Sequence, residues 1–419
     1  MNKNYWFQNV RVFADNKLGA PQDFFVQDGV WVASVPNDAE KIDVHGSWLL
    51  PGLFALGVDF QEPIRDDIYR LKDGFEAMRR GGFCTALCES EANPLDDLHK
   101  LKASLDAYGA SGLDFHFLGA ISVGHEGKSL AEMLELASHG VVGFGDGNHL
   151  PSGLRFLRFA LEYAGMTGLR CYFQPMERSL AGKGHVHEGH YADTLGMKGI
   201  PAQAETIAVH QILELSGWLQ VPVHLKQITC AESLNLIRNA RSRGVDVTCD
   251  VSIYHLMLDE SCLFALDTHT HLRPPLRTAE DKEALWKGLE DGTVQAISCA
   301  HVPVLPQDKE VNFDDAVPGA VSLEIAFVAL LAASQLRFAD GLERLLGWLT
   351  DGPAKICNRP MATLRMGASS PFFLFDPSVK RVLRVSDFAG QVHNSPLLDT
   401  VQTGMVTGTF FAGQWRWNR

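Results

Sequence analysis

Histidine is the commonest side-chain ligand for zinc, and two clusters in this sequence have the spacing to offer it. The stretch GHVHEGH carries His185, His187 and His190, and THTH places His269 and His271 two residues apart. Either set has the residue types to hold a metal that activates water. Both fall in loop-like stretches, so they read instead as solvent-facing or locally bonded side chains. His224, His255 and His301 stand singly and read as packed, hydrogen-bonded groups. Asp59 and Asp146 together could hold a hard cation such as Mg²⁺, with water completing its shell. The plainer reading is two solvated carboxylates, neutralised by Arg273. Cys88 and Cys299 lie near strand ends with no evident base beside them, and they read as inert thiols.

Such groups need a scaffold, and the middle of the chain has the rhythm of one. VPVHLKQI reads as a strand. TCAESLNLIRNARSRG follows as a helix, with Thr229 and Glu232 predicting a capping box and Gly244 a stop. VDVTCDVS is the next strand, Thr278 caps the helix AEDKEALWKGLEDG, and TVQAISC is a strand again. Strand and helix alternating in this way imply a parallel sheet covered by helices. The two ends differ. YWFQNVRVF, DFFVQDGVWVASV and KIDVHGSWLL at one end, and SPFFLFDP, RVLRVSD and MVTGTFFAGQWRW at the other, alternate apolar and polar residues between turns. They predict antiparallel strands in one small β domain formed by residues 1–50 plus 361–419, enclosing a larger domain over 51–360.

Composition sets limits on function. The 419 residues are enough for a large domain plus a small one. With 37 basic against 50 acidic residues the formal charge is -13, which argues against nucleic acid or an anionic membrane as partner. The N-terminal stretch MNKNYWFQNVRVFADN lacks the apolar run of a signal peptide. The greasiest run, AVSLEIAFVALLAAS from Ala320, contains Glu324, is too short to span a bilayer, and reads as a buried helix. Eight scattered cysteines with no CxxC pair point to reduced thiols and a cytoplasmic location.

Eight fragments, in order, carry a resemblance to a known family. They are LLPGLF, GGFCTALCESEANP, FGDG, HEG, LGMKGIPAQAE, VHLKQIT, RPPLR and ISCAHVPV. Together they resemble the bacterial type of dihydroorotase, within the amidohydrolase superfamily. The resemblance implies a (β/α)8 TIM-like barrel with a small β-sandwich domain built from both termini. Dihydroorotases open or close a cyclic amide with a hydroxide activated by zinc, while an aspartate at the last strand moves the proton.

The positions that carry this chemistry in the family are mostly changed here. The HxH pair of the first strand becomes Gly57 and Asp59, a register pinned by Pro51-Gly52 and Glu62-Pro63. At i and i+2 on a strand, both point into the barrel. Asp146 survives from the family's FSDDG, with Gly147 beside it. The two separate histidines become Gln174 and Gln227, and the catalytic aspartate becomes Ala300. An amide oxygen is a poor substitute for imidazole on zinc, and alanine neither ligates nor accepts a proton. The substrate-carboxylate positions carry Gln61, Glu91 and Val304, with Arg273 in place of the asparagine of NPPLR. A glutamate where an anion should dock repels it by a few kcal/mol at ~4–5 Å and an effective dielectric of ~20.

The resemblance therefore implies a non-catalytic dihydroorotase homologue with no zinc. Such proteins assemble with aspartate carbamoyltransferase, the preceding enzyme of pyrimidine synthesis, as hetero-oligomers. Two alternatives stay open. One is an active amidohydrolase with an altered metal site; the other is a dihydropyrimidinase-like scaffold that self-assembles.

Overall fold

The computed structural model describes residues 3–61, 64–89, 91–151, 153–361 and 364–417. Glu62 and Pro63, which help to pin the sequence register, lie outside the described residues. Eight parallel strands form the central sheet in sequence order: Leu53–Val58, Phe83–Cys88, Asp114–Gly119, Gly143–Gly145, Arg170–Phe173, Val223–Leu225, Val247–Ser252 and Ala296–Ser298. The sheet closes on itself. Beyond the eighth strand, Cys299 N donates to Leu56 O (3.0 Å) and His301 N to Gly57 O (2.9 Å), while Asp59 N returns a bond to His301 O (3.2 Å). This is the (β/α)8 barrel, and its rim at the carboxyl ends of the strands is where such folds carry their chemistry.

The barrel strands read as almost unbroken apolar runs because both faces are buried. Phe83–Cys88 has six buried residues in a row, as parallel strands lined inside by side chains and outside by helices require. Residues 320–325 of the greasy run form a loop, and the helix begins at Ala326 and runs to Arg337. Among the described residues no helix is long and apolar enough to cross a membrane.

Both termini build the second sheet, but its pairing is mixed. Tyr5–Ala14 runs antiparallel to Gln22–Gln27 and parallel to both Glu40–Asp43 and Trp48–Pro51. The expectation of purely antiparallel strands is corrected here, and the reason lies in one long strand serving two neighbours. Residues 5–8 pair with Glu40–Asp43, the chain bends at Asn9 (φ +57°), and Arg11 and Val12 pair with Trp48 and Leu49. The sheet thereby folds over an aromatic core in which Phe7 and Phe24 from one half meet the ring of Phe372 from the other.

The predicted capping box at Thr229 does not form. The helix spans Ala231–Ser242 with no side-chain cap from its own first turn. Glu205, from the preceding helix Gln203–Leu219, holds the turn before it instead. Its buried carboxylate accepts from the amides of Thr229 (3.0 Å) and Cys230 (3.0 Å), from Ser233 Oγ (2.7 Å) and from Thr229 Oγ1. These amides belong to the turn that enters the helix, while the first helical amide, Ala231 N, donates to Asp281 Oδ1 (2.8 Å), and two carboxylates near the N-terminus also complement its dipole. Thr278 does cap its helix, accepting from Asp281 N (3.1 Å).

Candidate functional site

The six family positions stand on one rim. Asp59 follows the first strand, Asp146 the fourth, Gln174 the fifth, Gln227 the sixth and Ala300 the eighth, while Gly57 lies in the last turn of pleat of the first. Gly57 is a bulge residue: it takes φ +67°, and the register with the second strand shifts between Ala55 and Val58. Simple alternation therefore fails at this point. A Cβ at Gly57 would sit 3.8 Å from Gln227 Nε2 and 3.6 Å from Ala300 N, so it would face the ends of strands six and eight. Gln227 (φ +50°) and Ala300 (φ +47°) also hold left-handed backbone, unusual for residues with a Cβ.

The side chains are committed to one another. Gln174 Nε2 donates to Gln227 Oε1 (3.4 Å), leaving Gln174 Oε1 buried without a partner. Asp59 accepts from Gln61 N (3.0 Å), Gln61 Nε2 (2.8 Å) and Glu91 N (3.4 Å). Burial pushes its carboxyl up to about 7, helped by the charges of Glu91 and Glu89 and opposed by the amides. Asp146 accepts from the amides of Ile121 (2.8 Å) and Ser122 (2.9 Å) and from Ser122 Oγ; burial pushes it up to about 6. Both aspartates brace loops. Arg273 neutralises neither: it makes no bond to them, and the charge that bears on it is Arg178. Val304 is buried, its amide donating to Asn394 Oδ1 (3.2 Å).

Glu91 pairs with His149 and accepts from Asn148 N (2.9 Å). Its carboxylate fills the space beside Gly147, where φ is +58° and a Cβ would lie 2.1 Å from Glu91 Oε2. A side chain at 147 would therefore require Glu91 to move. Gly147→Asp is expected to lower stability by about 1–3 kcal/mol through clash, strain and repulsion. Thermal denaturation checks this, and Glu91→Ala in the same chain should return the part due to clash and repulsion, leaving the strain.

Two residues central to the rim escaped the sequence reading. Lys226, from the end of the sixth strand, reaches across the barrel to form an ion pair with Glu89 at the end of the second. It also donates to Gly147 O beyond the fourth (2.8 Å). The available signal was a lone lysine inside the apolar run VPVHLKQI, where a buried cation demands a buried anion. The adjacent cavity, lined by Gly57, Asp59, Glu89, Glu91 and Gln227 among others, measures about 80 Å³. Small-molecule sites run to roughly 300–1,000 Å³. A larger cavity of about 520 Å³ lies between Phe13–Asn16 and the helix Gly341–Leu349 and contains none of the rim residues.

The structure ties most of the histidines singled out in the sequence to groups of the chain itself. His187 is buried and accepts from Arg277 at Nδ1 (2.8 Å), and His269 is bonded to Asp267. His185 and His271 approach ring to ring at 5.4 Å, and burial pushes His271 down to about 4. His224 bonds Thr248 and Asp250, and His255 bonds Ser252. His301 accepts at Nδ1 from the amides of Ser322 and Leu323 and is pushed down to about 3 by burial. Burial raises the thiols of Cys88 and Cys299 far above the usual range. Among the described residues no group of three or more His, Cys, Asp or Glu could hold a metal ion. Two amides bonded to each other, two aspartates saturated by amides and an inserted ammonium do not fit zinc.

No family model matches the sequence. The dihydroorotase of Pelotomaculum thermopropionicum is 32% identical over 405 residues, covering 94% of this chain and 93% of that one. That of Carboxydothermus hydrogenoformans is 32% identical over 418 residues, covering 97% and 95%. Among solved structures, the L-hydantoinase (dihydropyrimidinase) of Arthrobacter aurescens superposes with a TM-score of 0.82 at 21% identity, over 99% of this chain and 96% of that chain. The last likeness shows the barrel and its companion sheet. The two before it show descent, and by them the chain belongs to the dihydroorotase family of the amidohydrolase superfamily.

Proposed function

We propose that this chain is a catalytically inactive dihydroorotase homologue. Its role is that of a cytoplasmic structural subunit assembling with aspartate carbamoyltransferase in de novo pyrimidine biosynthesis. The observation that carries the reading is the rim itself. Of six ligand and base positions, one holds glycine, two hold mutually bonded glutamines, one holds alanine, and two hold aspartates already saturated by the chain. A zinc-activated hydroxide needs several correctly typed donors at once, and a proton acceptor close by.

Retention of the framework supports an assembly role. HEG, GIPAQAE, VHLKQIT and RPPLR meet in one buried network: Arg277 bonds His187, Ile200 O and Thr229, and Thr229 bonds Glu205. A fold maintained this fully offers a rigid surface to a partner. Co-expression with the cognate transferase tests the proposal. The two chains are expected to co-elute as a hetero-oligomer, with the transferase poorly assembled or weakly active alone. Separate elution with a fully active, correctly assembled transferase would sink it.

A second reading, an active amidohydrolase with an altered metal site, is favoured by the dihydroorotase relatives, by the surviving Asp146 and by the carboxylate that Asp59 offers in place of a histidine. It requires stoichiometric metal in protein purified without chelator, together with ring opening or closure in solution. The expected outcome is neither.

A further inference from the structure

The rim gathers negative charge. Asp59 and Glu91 flank one small cavity with Glu89, and the charges of Glu89 and Glu91 both bear on Asp59. In a metal-dependent barrel a divalent ion would offset such a cluster. Here the offset comes from inside the chain. Lys226 is 3% exposed, and its ammonium meets the Glu89 carboxylate and the carbonyl of Gly147. The contact links the ends of the sixth, second and fourth strands, three sides of the rim. Glu89 is anchored in turn, its amide donating to Val58 O (3.0 Å), and Lys226 N donates to Phe173 O (2.8 Å). Both charged groups thus hang from backbone already fixed by the barrel.

We propose that the Lys226 ammonium is the resident cation of this rim, holding the strand ends together across the barrel where a bound metal would otherwise do so. The pair both neutralises Glu89 and fills the space between the strand ends. It leaves a cavity of about 80 Å³, too small for a cyclic-amide substrate. A divalent ion between these strand ends would have to displace the ammonium from Glu89 and from the carbonyl of Gly147. The inference rests on the metal-free part of the proposed function. The two can fail separately, because co-elution with the transferase does not depend on which cation closes the rim.

The test uses the full chain. Wild-type melting should be unchanged by EDTA or by Mn²⁺, and equilibrium dialysis should show no Mn²⁺ uptake. Lys226→Ala leaves the largely buried Glu89 carboxylate unpaired, and should melt roughly 3–6 °C lower, because breaking such a pair is costlier than removing it whole. Lys226→Ala/Glu89→Gln should recover part of that loss, so that the two single costs are not additive. Lys226→Ala alone should take up Mn²⁺. If Lys226→Ala does not fold, the double variant and the wild-type dialysis decide. Melting of Lys226→Ala equal to wild type, additive single costs, a wild type destabilised by EDTA, or equal Mn²⁺ uptake by both chains would each overturn the proposal.

Discussion

Glu205→Ala is expected to lower the free energy of unfolding by about 3–5 kcal/mol. Four donors converge on this side chain: the amides of Thr229 and Cys230 and the hydroxyls of Thr229 and Ser233. All are buried, so no water replaces the lost acceptor. The turn that enters the helix Ala231–Ser242 loses its anchor, and Arg277, which bonds Thr229 Oγ1 through Nε (3.1 Å), loses the group that fixes that hydroxyl. Glu205→Gln keeps one acceptor oxygen and should cost about half as much. Urea unfolding followed by tryptophan fluorescence measures both. A loss under about 1 kcal/mol for the alanine variant would mean that water reaches these donors, against their burial.

This network also explains which parts of the molecule were legible in the sequence. Strands alternating with helices between residues 51 and 360 showed a parallel sheet, the eight fragments of the family resemblance closed it into a barrel, and Thr278 announced its helix by a cap that uses only neighbours in sequence. Glu205 holds its turn across 24 residues, so no local pattern distinguishes it from the box that Thr229 and Glu232 could have made. The rim divides in the same way. The family resemblance placed positions 57, 59, 146, 227 and 300 through the motifs around them, and 174 only through the SLA stretch at 179–181. It did not place the partners of those residues. Lys226 and Glu89 are 137 positions apart and meet only because the barrel closes. The bend at Asn9, which turns one strand into a member of two pairings, was likewise hidden. Its cause is a backbone angle rather than a residue pattern.

Asp59→Asn is expected to stabilise the protein above neutral pH by an amount that grows as pH rises from about 4 to about 7 and then levels off. The sign follows from burial. In the unfolded chain this carboxyl ionises near 3.8; in the folded chain burial and the nearby Glu91 and Glu89 hold its proton up to about 7. Between those values the native state binds the proton and the unfolded state does not, so stability falls with rising pH. At roughly 1.4 kcal/mol per unit, the loss between pH 5 and pH 8 is about 2–3 kcal/mol, and asparagine escapes it. Buried histidines pull the other way, since His301 is held down to about 3 and His125 to about 4, and both favour the folded state more as pH rises toward their ordinary range. The profile of either protein alone mixes these opposing slopes, but the difference between wild type and Asp59→Asn cancels the histidines and isolates the one carboxyl. Paired melting curves at pH 5, 6, 7 and 8 supply it. The measurement also bears on chemistry. A divalent ion on Asp59 would lower its pKa instead, and Asp59→Asn would then cost stability at pH 7 and above. An advantage for the variant that widens with pH speaks for a rim that holds its aspartate protonated, and a growing disadvantage speaks for a metal.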